Sequence, residues 1–152
     1  MLYPGTLFRE KFRSGTAFRD TAPETAFQNV ITMFHFLLVF LGGGFGSVAR
    51  WGLSLAIQPL LPRFPWATLA ANGLACLIMG ILMGHQLSTG VVEQRRLLLA
   101  VGFCGGFSTF STFSAETLTL WQAGQQSLAA LNVLGSLAVC FACLLLGLKL
   151  GH

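Results

Sequence analysis

The chain is expected to be an all-α integral membrane protein of four transmembrane helices, and three observations lead there. Of its 152 residues, 54% are hydrophobic and only 9% are charged, with a mean hydropathy of +0.71. A water-soluble domain of this length could not cover itself with so little charge. The apolar residues fall into four runs, each near the ~20 residues needed to cross ~30 Å of hydrocarbon. The connections between the runs are short, which leaves no room for an extramembrane domain.

The elements follow in order. Residues 1–33 hold Arg9, Lys11, Arg13 and Arg19 against Glu10, Asp20 and Glu24, with Pro4 and Pro23 and no apolar run of membrane length. Phe8, Phe12 and Phe18 allow a loose amphipathic patch, but the segment reads as a disordered extension. It lacks the apolar middle of a secretory signal peptide. Met33, directly before the hydrophobic region, is the expected natural start, which an intact mass that includes residues 1–32 would refute. The membrane domain is residues 34–152. Its first span covers about 34–57, up to Gln58-Pro59. The second follows Pro62-Arg63-Phe64-Pro65 and covers 66–86; the third covers 94–121 and the fourth 126–148, closed by Lys149. Trp66 and Trp121 stand at span ends, as in an interfacial belt; Trp51, inside a span, fits that role less well.

The third span contains the most informative stretch. Gly105-Gly106 is followed by five hydroxyl side chains within residues 108–114, with phenylalanine at every third position: Phe107, Phe110 and Phe113. One reading is a Ser/Thr-rich helix that packs through hydroxyl–backbone bonds. The sharper reading is a third helix broken at Gly105-Gly106. Backbone groups left without partners survive in lipid only where they are buried in protein or line a cavity, and broken helices gather such groups around ions.

Small and polar residues recur every four positions, and so share helix faces. Gly42, Gly46, Arg50, Ser54 and Gln58 form one stripe; Thr68, Asn72, Cys76, Gly80 and Gly84 another; Asn132, Ser136 and Cys140 a third. The glycines predict tight helix packing. Asn72 and Arg50 are costly inside a span unless they face protein or water. Three polar stripes exceed what four helices can hide, which predicts an oligomer. Topogenic charge is nearly balanced: in the membrane domain Arg95, Arg96 and Lys149, offset by Glu93, oppose Arg63. So weak a bias allows insertion in both orientations.

Catalysis finds no support. Glu116 is the only acidic residue after Glu93, and His35, His85 and His152 are scattered, so no catalytic cluster can be proposed and the chain is not expected to be an enzyme. Glu116 is expected to pair with a basic or hydroxyl group, or to cap backbone. Cys76, Cys104, Cys140 and Cys143 lie in apolar runs and read as small buried side chains, not as a disulfide framework. A single Cys-x-x-Cys with no nearby His does not make a zinc site. The net charge of +4 is dispersed, which argues against nucleic acid as a partner. What remains at membrane depth is a set of donors and ring edges: the Asn72 amide, the hydroxyls of residues 108–114, Ser136, and the rings of Phe110 and Phe113. With Arg50 they favour an anion. Carbonyls released at the helix break would suit a cation.

On these residues the chain resembles the Fluc (CrcB) fluoride channel family. The marks are Gly42-Gly43-Gly44-Phe45-Gly46-Ser47 with Arg50-Trp51, then Thr68-Leu69-Ala70-Ala71-Asn72. The most specific runs from Gly102-Phe103-Cys104-Gly105-Gly106-Phe107 through Ser108-Thr109-Phe110-Ser111-Thr112-Phe113-Ser114-Ala115-Glu116. The resemblance covers residues 34–152; the extension has no counterpart. It implies an antiparallel, dual-topology homodimer in the cell (inner) membrane, which passively exports fluoride along two pathways at the subunit interface. It implies that Asn72 and Ser136 donate hydrogen bonds to fluoride, that Phe110 and Phe113 offer ring edges, and that Arg50 supports the anion field. It also implies a structural Na⁺ held by main-chain carbonyls of Gly105 and Ser108 from both copies. The family often has Thr where this chain has Ser108, which a backbone ligand tolerates. Cys140 and Leu144 stand where more hydroxyl groups are usual. Two rivals are a small four-helix dual-topology multidrug exporter, for which residues 34–92 lack the required buried carboxylate, and a non-transporting membrane assembly subunit.

Overall fold

The structure is a computed structural model that describes residues 22–61, 63–89 and 92–152. The chain forms two compact units, Met1–Phe34 and His35–His152. In the first, the described residues are helical from Ala22, and Thr32 Oγ1 donates to Gln28 O at 2.8 Å. The expected boundary at residue 33 therefore lies within a helix, while residues 1–21 of the expected extension are outside the described residues.

The helices are α1, Ala22–Ile57; α2, Trp66–Thr89; α3, a run made of Glu93–Arg95, Arg96–Cys104 and Gly105–Phe107; α4, Phe110–Gln122; and α5, Gln126–Leu150. Together α3 and α4 make the third span. Among the described residues four segments are long and apolar enough to cross a membrane: Phe27–Ile57, Trp66–Gln86, Glu93–Gln122 and Gln126–Leu150. These agree with the expected spans from the second onward to within about two residues, the ordinary fuzziness of helix ends. The middle of α3, Arg96–Cys104, is a π-helix, widened to i→i+5 hydrogen bonds. No residue in that apolar run signals the widening.

Glycine draws the helices of the second unit together. A Cβ on Gly42 would meet the Leu98 carbonyl and the Phe103 amide, one on Gly46 the Phe103 carbonyl, and one on Gly106 the Gly43 carbonyl. On the other side, Gly80 and Gly84 of α2 lie against Gly147 of α5 and Gly151 just past its end so closely that a methyl group on any of the four would strike backbone. The stripes at four-residue spacing thus serve as contact seams. In membranes, where lipid is as apolar as leucine, such close approach is what holds helices together.

The connection from α4 to α5 is a Schellman turn. Gly124 takes φ +75°, the Gln125 amide donates to Leu120 O at 2.9 Å, and the Gly124 amide donates to Trp121 O at 3.0 Å. Only glycine adopts that φ without cost.

Among the described residues the buried apolar cluster is small: Ala71, Ala75, Cys104 and Phe107, with Leu53, Ile78, Met79 and Phe103 packed on it. Phe103 and Phe107 stack with ring centroids 5.4 Å apart. Large apolar side chains face outward instead, as expected of a chain whose surroundings are lipid or another protein.

Candidate functional site

The site forms where the third span changes direction. Gly105 and Gly106 are helical; the two extended residues are Ser108 (φ −77°, ψ 154°) and Thr109 (φ −152°, ψ 114°). The glycine pair, where the break is expected, therefore keeps helical backbone, and the extended residues come two positions later. The physical reason is that Gly106 is used for contact, pressed on Gly43, and contact of that kind needs no unwound backbone.

Polar side chains take over the bonds that an uninterrupted helix would make. Asn72 reaches from α2 to the extended residues and grips both backbone groups of one of them: Thr109 N–H donates to Asn72 Oδ1 at 2.8 Å, and Asn72 Nδ2 donates to Thr109 O at 3.4 Å. Thr109 Oγ1 in turn caps α4 by accepting from Thr112 N at 3.2 Å. On the far side, Arg50 Nε and Ser47 Oγ both donate to Gly106 O, at 3.3 and 3.4 Å. Ser108 Oγ bonds back to Cys104 O at 2.8 Å. Because the Thr109 amide turns to Asn72, the Gly105 carbonyl loses the partner that i→i+4 pairing would supply.

Beside this break lies a cleft of about 250 Å³ lined by Asn72, Ser108, Thr109, Phe110, Phe113 and Ser136. Cys76, Leu137 and Cys140 complete it. Five of the seven residues expected at the site therefore meet in one place. Phe110 and Phe113 form a tilted ring pair with centroids 5.7 Å apart. Ser136, 7% exposed, donates to Asn132 Oδ1 at 3.5 Å. That length is at the outer limit for a hydroxyl bond and is easily exchanged. Among the described residues Asn132 is the largest fully buried side chain, 1% exposed, and its amide donates to Thr117 Oγ1 at 2.9 Å. Arg50 and Gly105 do not line the cleft: Arg50 sits behind the break, and Gly105 is exposed on the helix surface.

A second hollow of about 350 Å³ is bordered by Arg63, Ser54, Gln58, Thr112 and Glu116. Thr68, 6% exposed, donates to Glu116 Oε1 at 2.9 Å. The expected hydroxyl partner of Glu116 is therefore present, contributed by α2. The cysteines depart from expectation: only Cys104 is buried, while Cys76, Cys140 and Cys143 are half-exposed. Cys76 and Cys140 owe that exposure to the cleft they border.

The family model described as "CrcB-like protein, Camphor Resistance (CrcB)" matches residues 37–148. The chain belongs to the CrcB family. Curated relatives named "Fluoride-specific ion channel FluC" include one from Coxiella burnetii, 47% identical over 119 residues, which covers 76% of this chain and 96% of its own. One from Magnetococcus marinus is 49% identical over 116 residues (75% and 94%), and one from Thermus thermophilus 42% over 120 residues (78% and 96%). With its four apolar spans, this CrcB-family chain is a multi-pass membrane protein.

Proposed function

We propose that this chain is a fluoride channel of the cell membrane, with its ion path running past Asn72, Ser136, Phe110 and Phe113. The observation that carries the reading is the convergence of hydrogen-bond donors and aromatic edges in one cleft, in a chain whose relatives at 42–49% identity bear the fluoride-channel name.

The chemistry follows from the ion. Fluoride is small and holds its water tightly, so it enters a narrow path only where other donors replace that shell. One Asn72 N–H is committed to Thr109, which leaves the second for an anion. Ser136 gives up only the long bond to Asn132 when it turns to fluoride. The aromatic ring edge is positive, and the tilted Phe110 and Phe113 rings supply such edges without binding too firmly, since conduction needs sites weak enough to leave. A negative-inside potential favours exit by about 2.3 kcal/mol per 100 mV for each charge. Passive flow therefore suffices to lower internal fluoride. Arg50 acts from behind, as a fixed positive charge that also holds Gly106 O in place.

The working unit in this reading is an antiparallel homodimer. Phe110 is 81% exposed in the single chain, so a second copy is needed to close a path along it. A third helix broken at Ser108 and Thr109 then faces its inverted twin. The residues there also fit a structural Na⁺. Such hard cations take oxygen donors, the Gly105 carbonyl has lost its helical partner to the Asn72 clamp, and among the described residues no group of three or more His, Cys, Asp or Glu side chains competes as a metal site. The main-chain carbonyls of Gly105 and Ser108 would hold the ion, which would neutralise their dipoles where the two copies meet.

The test is efflux from proteoliposomes loaded with fluoride, with K⁺ carried by valinomycin. Uncoupled fluoride release supports the channel. Proton-coupled drug exchange would support an exporter, and neither activity would support an assembly subunit.

A further inference from the structure

The cleft holds two side chains that anion passage does not use. Cys76 of α2 and Cys140 of α5 both line it, beside Asn72 and Ser136. Both thiols thus border the same hollow of about 250 Å³ from two different helices, and Cys143 stands three residues further along α5. Both thiols are half-exposed and reduced, in contrast to Cys104, which is 2% exposed and closed into the core.

We infer that Cys76 and Cys140 form a two-thiol site for a soft d¹⁰ cation (Hg²⁺, Ag⁺ or Cu⁺), and that its occupant blocks the cleft. Zinc is not the expected guest. A structural zinc site takes four ligands, and among the described residues no third His, Cys, Asp or Glu joins the pair to hold an ion. Soft d¹⁰ cations are satisfied by two thiolates in line, and thiolate sulfur selects them over harder metals. As the two metal–sulfur bonds form, the two S–H protons leave to solvent, and no oxidant is required. The bound metal would sit against Asn72 and Ser136, in the volume a passing anion must cross. Binding stands on the thiol geometry alone; the block also rests on the fluoride reading.

Hg²⁺ titrated into the purified full-length protein tests the site. The expected result is one tightly held Hg²⁺ per protomer with the near-ultraviolet thiolate-to-mercury absorption. That signal should be lost in Cys76→Ser and, separately, in Cys140→Ser, and kept in Cys143→Ser. No such absorption in the wild-type protein would overturn the proposal, as would its persistence in both single variants. In proteoliposomes the same stoichiometric Hg²⁺ should slow fluoride efflux about tenfold or more, restored by excess dithiothreitol. Binding that needs Cys76 and Cys140 but leaves efflux unchanged would keep the metal site and remove the cleft from the ion path, so the two readings fail separately.

Discussion

Asn72→Asp probes the centre of the site with almost no change of volume. The carboxylate can still accept from the Thr109 amide, now at 2.8 Å from Oδ1, but the Nδ2 donor to Thr109 O is replaced by a second oxygen 3.4 Å from that carbonyl. Loss of the bond, with a half-buried carbonyl left facing an acceptor, costs about 1–3 kcal/mol. The larger effect falls on the ion. A carboxylate charge ~5 Å from a passing anion, at an effective dielectric of ~20, opposes it by about 3 kcal/mol. That corresponds to roughly a hundredfold in rate. Fluoride efflux from proteoliposomes, read with a selective electrode, should therefore fall by about two orders of magnitude. Size-exclusion chromatography in detergent should show the same oligomer as the wild type. Wild-type efflux in this variant would refute the placement of Asn72 on the path. Asn72→Ala, which removes both halves of the clamp but adds no charge, should reduce melting temperature more than Asn72→Asp does while slowing efflux less.

Further outcomes follow from the same geometry. Phe110→Ile keeps bulk but removes a ring edge worth about 0.5–1.5 kcal/mol; it should slow efflux roughly threefold to tenfold without loss of assembly. Gly147→Leu drives a side chain into the Leu77 carbonyl and Gly80, an overpacking that costs roughly 1–3 kcal/mol or more; thermal unfolding in detergent should show a clear drop, and an unchanged midpoint would mean the α2–α5 seam is not tight. Replacing Na⁺ by N-methylglucamine on both sides of the vesicle should weaken efflux if the Gly105 and Ser108 carbonyls hold the ion, and full activity would dismiss that site.

Much of this arrangement was legible in the sequence because membrane residues leave few choices. Spans two to four were readable from apolar run length, and the seams from glycine at four-residue spacing, since only a missing side chain lets backbones touch. The alignment of Thr68 and Asn72 placed both on the α2 face that meets α4, where they bond Glu116 and Thr109. What stayed hidden depends on contacts between distant residues. Gly105-Gly106 looks like a point of weakness, yet Gly106 is held helical against Gly43, and the extended backbone falls at Ser108 and Thr109, where Asn72 replaces the missing helical bond. The bond from Arg50 Nε to Gly106 O likewise joins residues 56 positions apart. The π-helical widening of Arg96–Cys104 leaves no mark in a run of leucine, alanine and valine. The half-exposure of Cys76 and Cys140 follows from a cleft that exists only once α2, α4 and α5 are assembled.

The claim on which the rest depends is that fluoride occupies the cleft between Asn72, Ser136 and the Phe110–Phe113 pair. A crystal structure of the protein grown in sodium fluoride measures this directly. The account predicts fluoride-sized density within hydrogen-bond reach of Asn72 Nδ2 or Ser136 Oγ, closed over by an inverted second copy. Continuous helix through Ser108 and Thr109, with both rings turned to lipid and no density in the cleft, would contradict it.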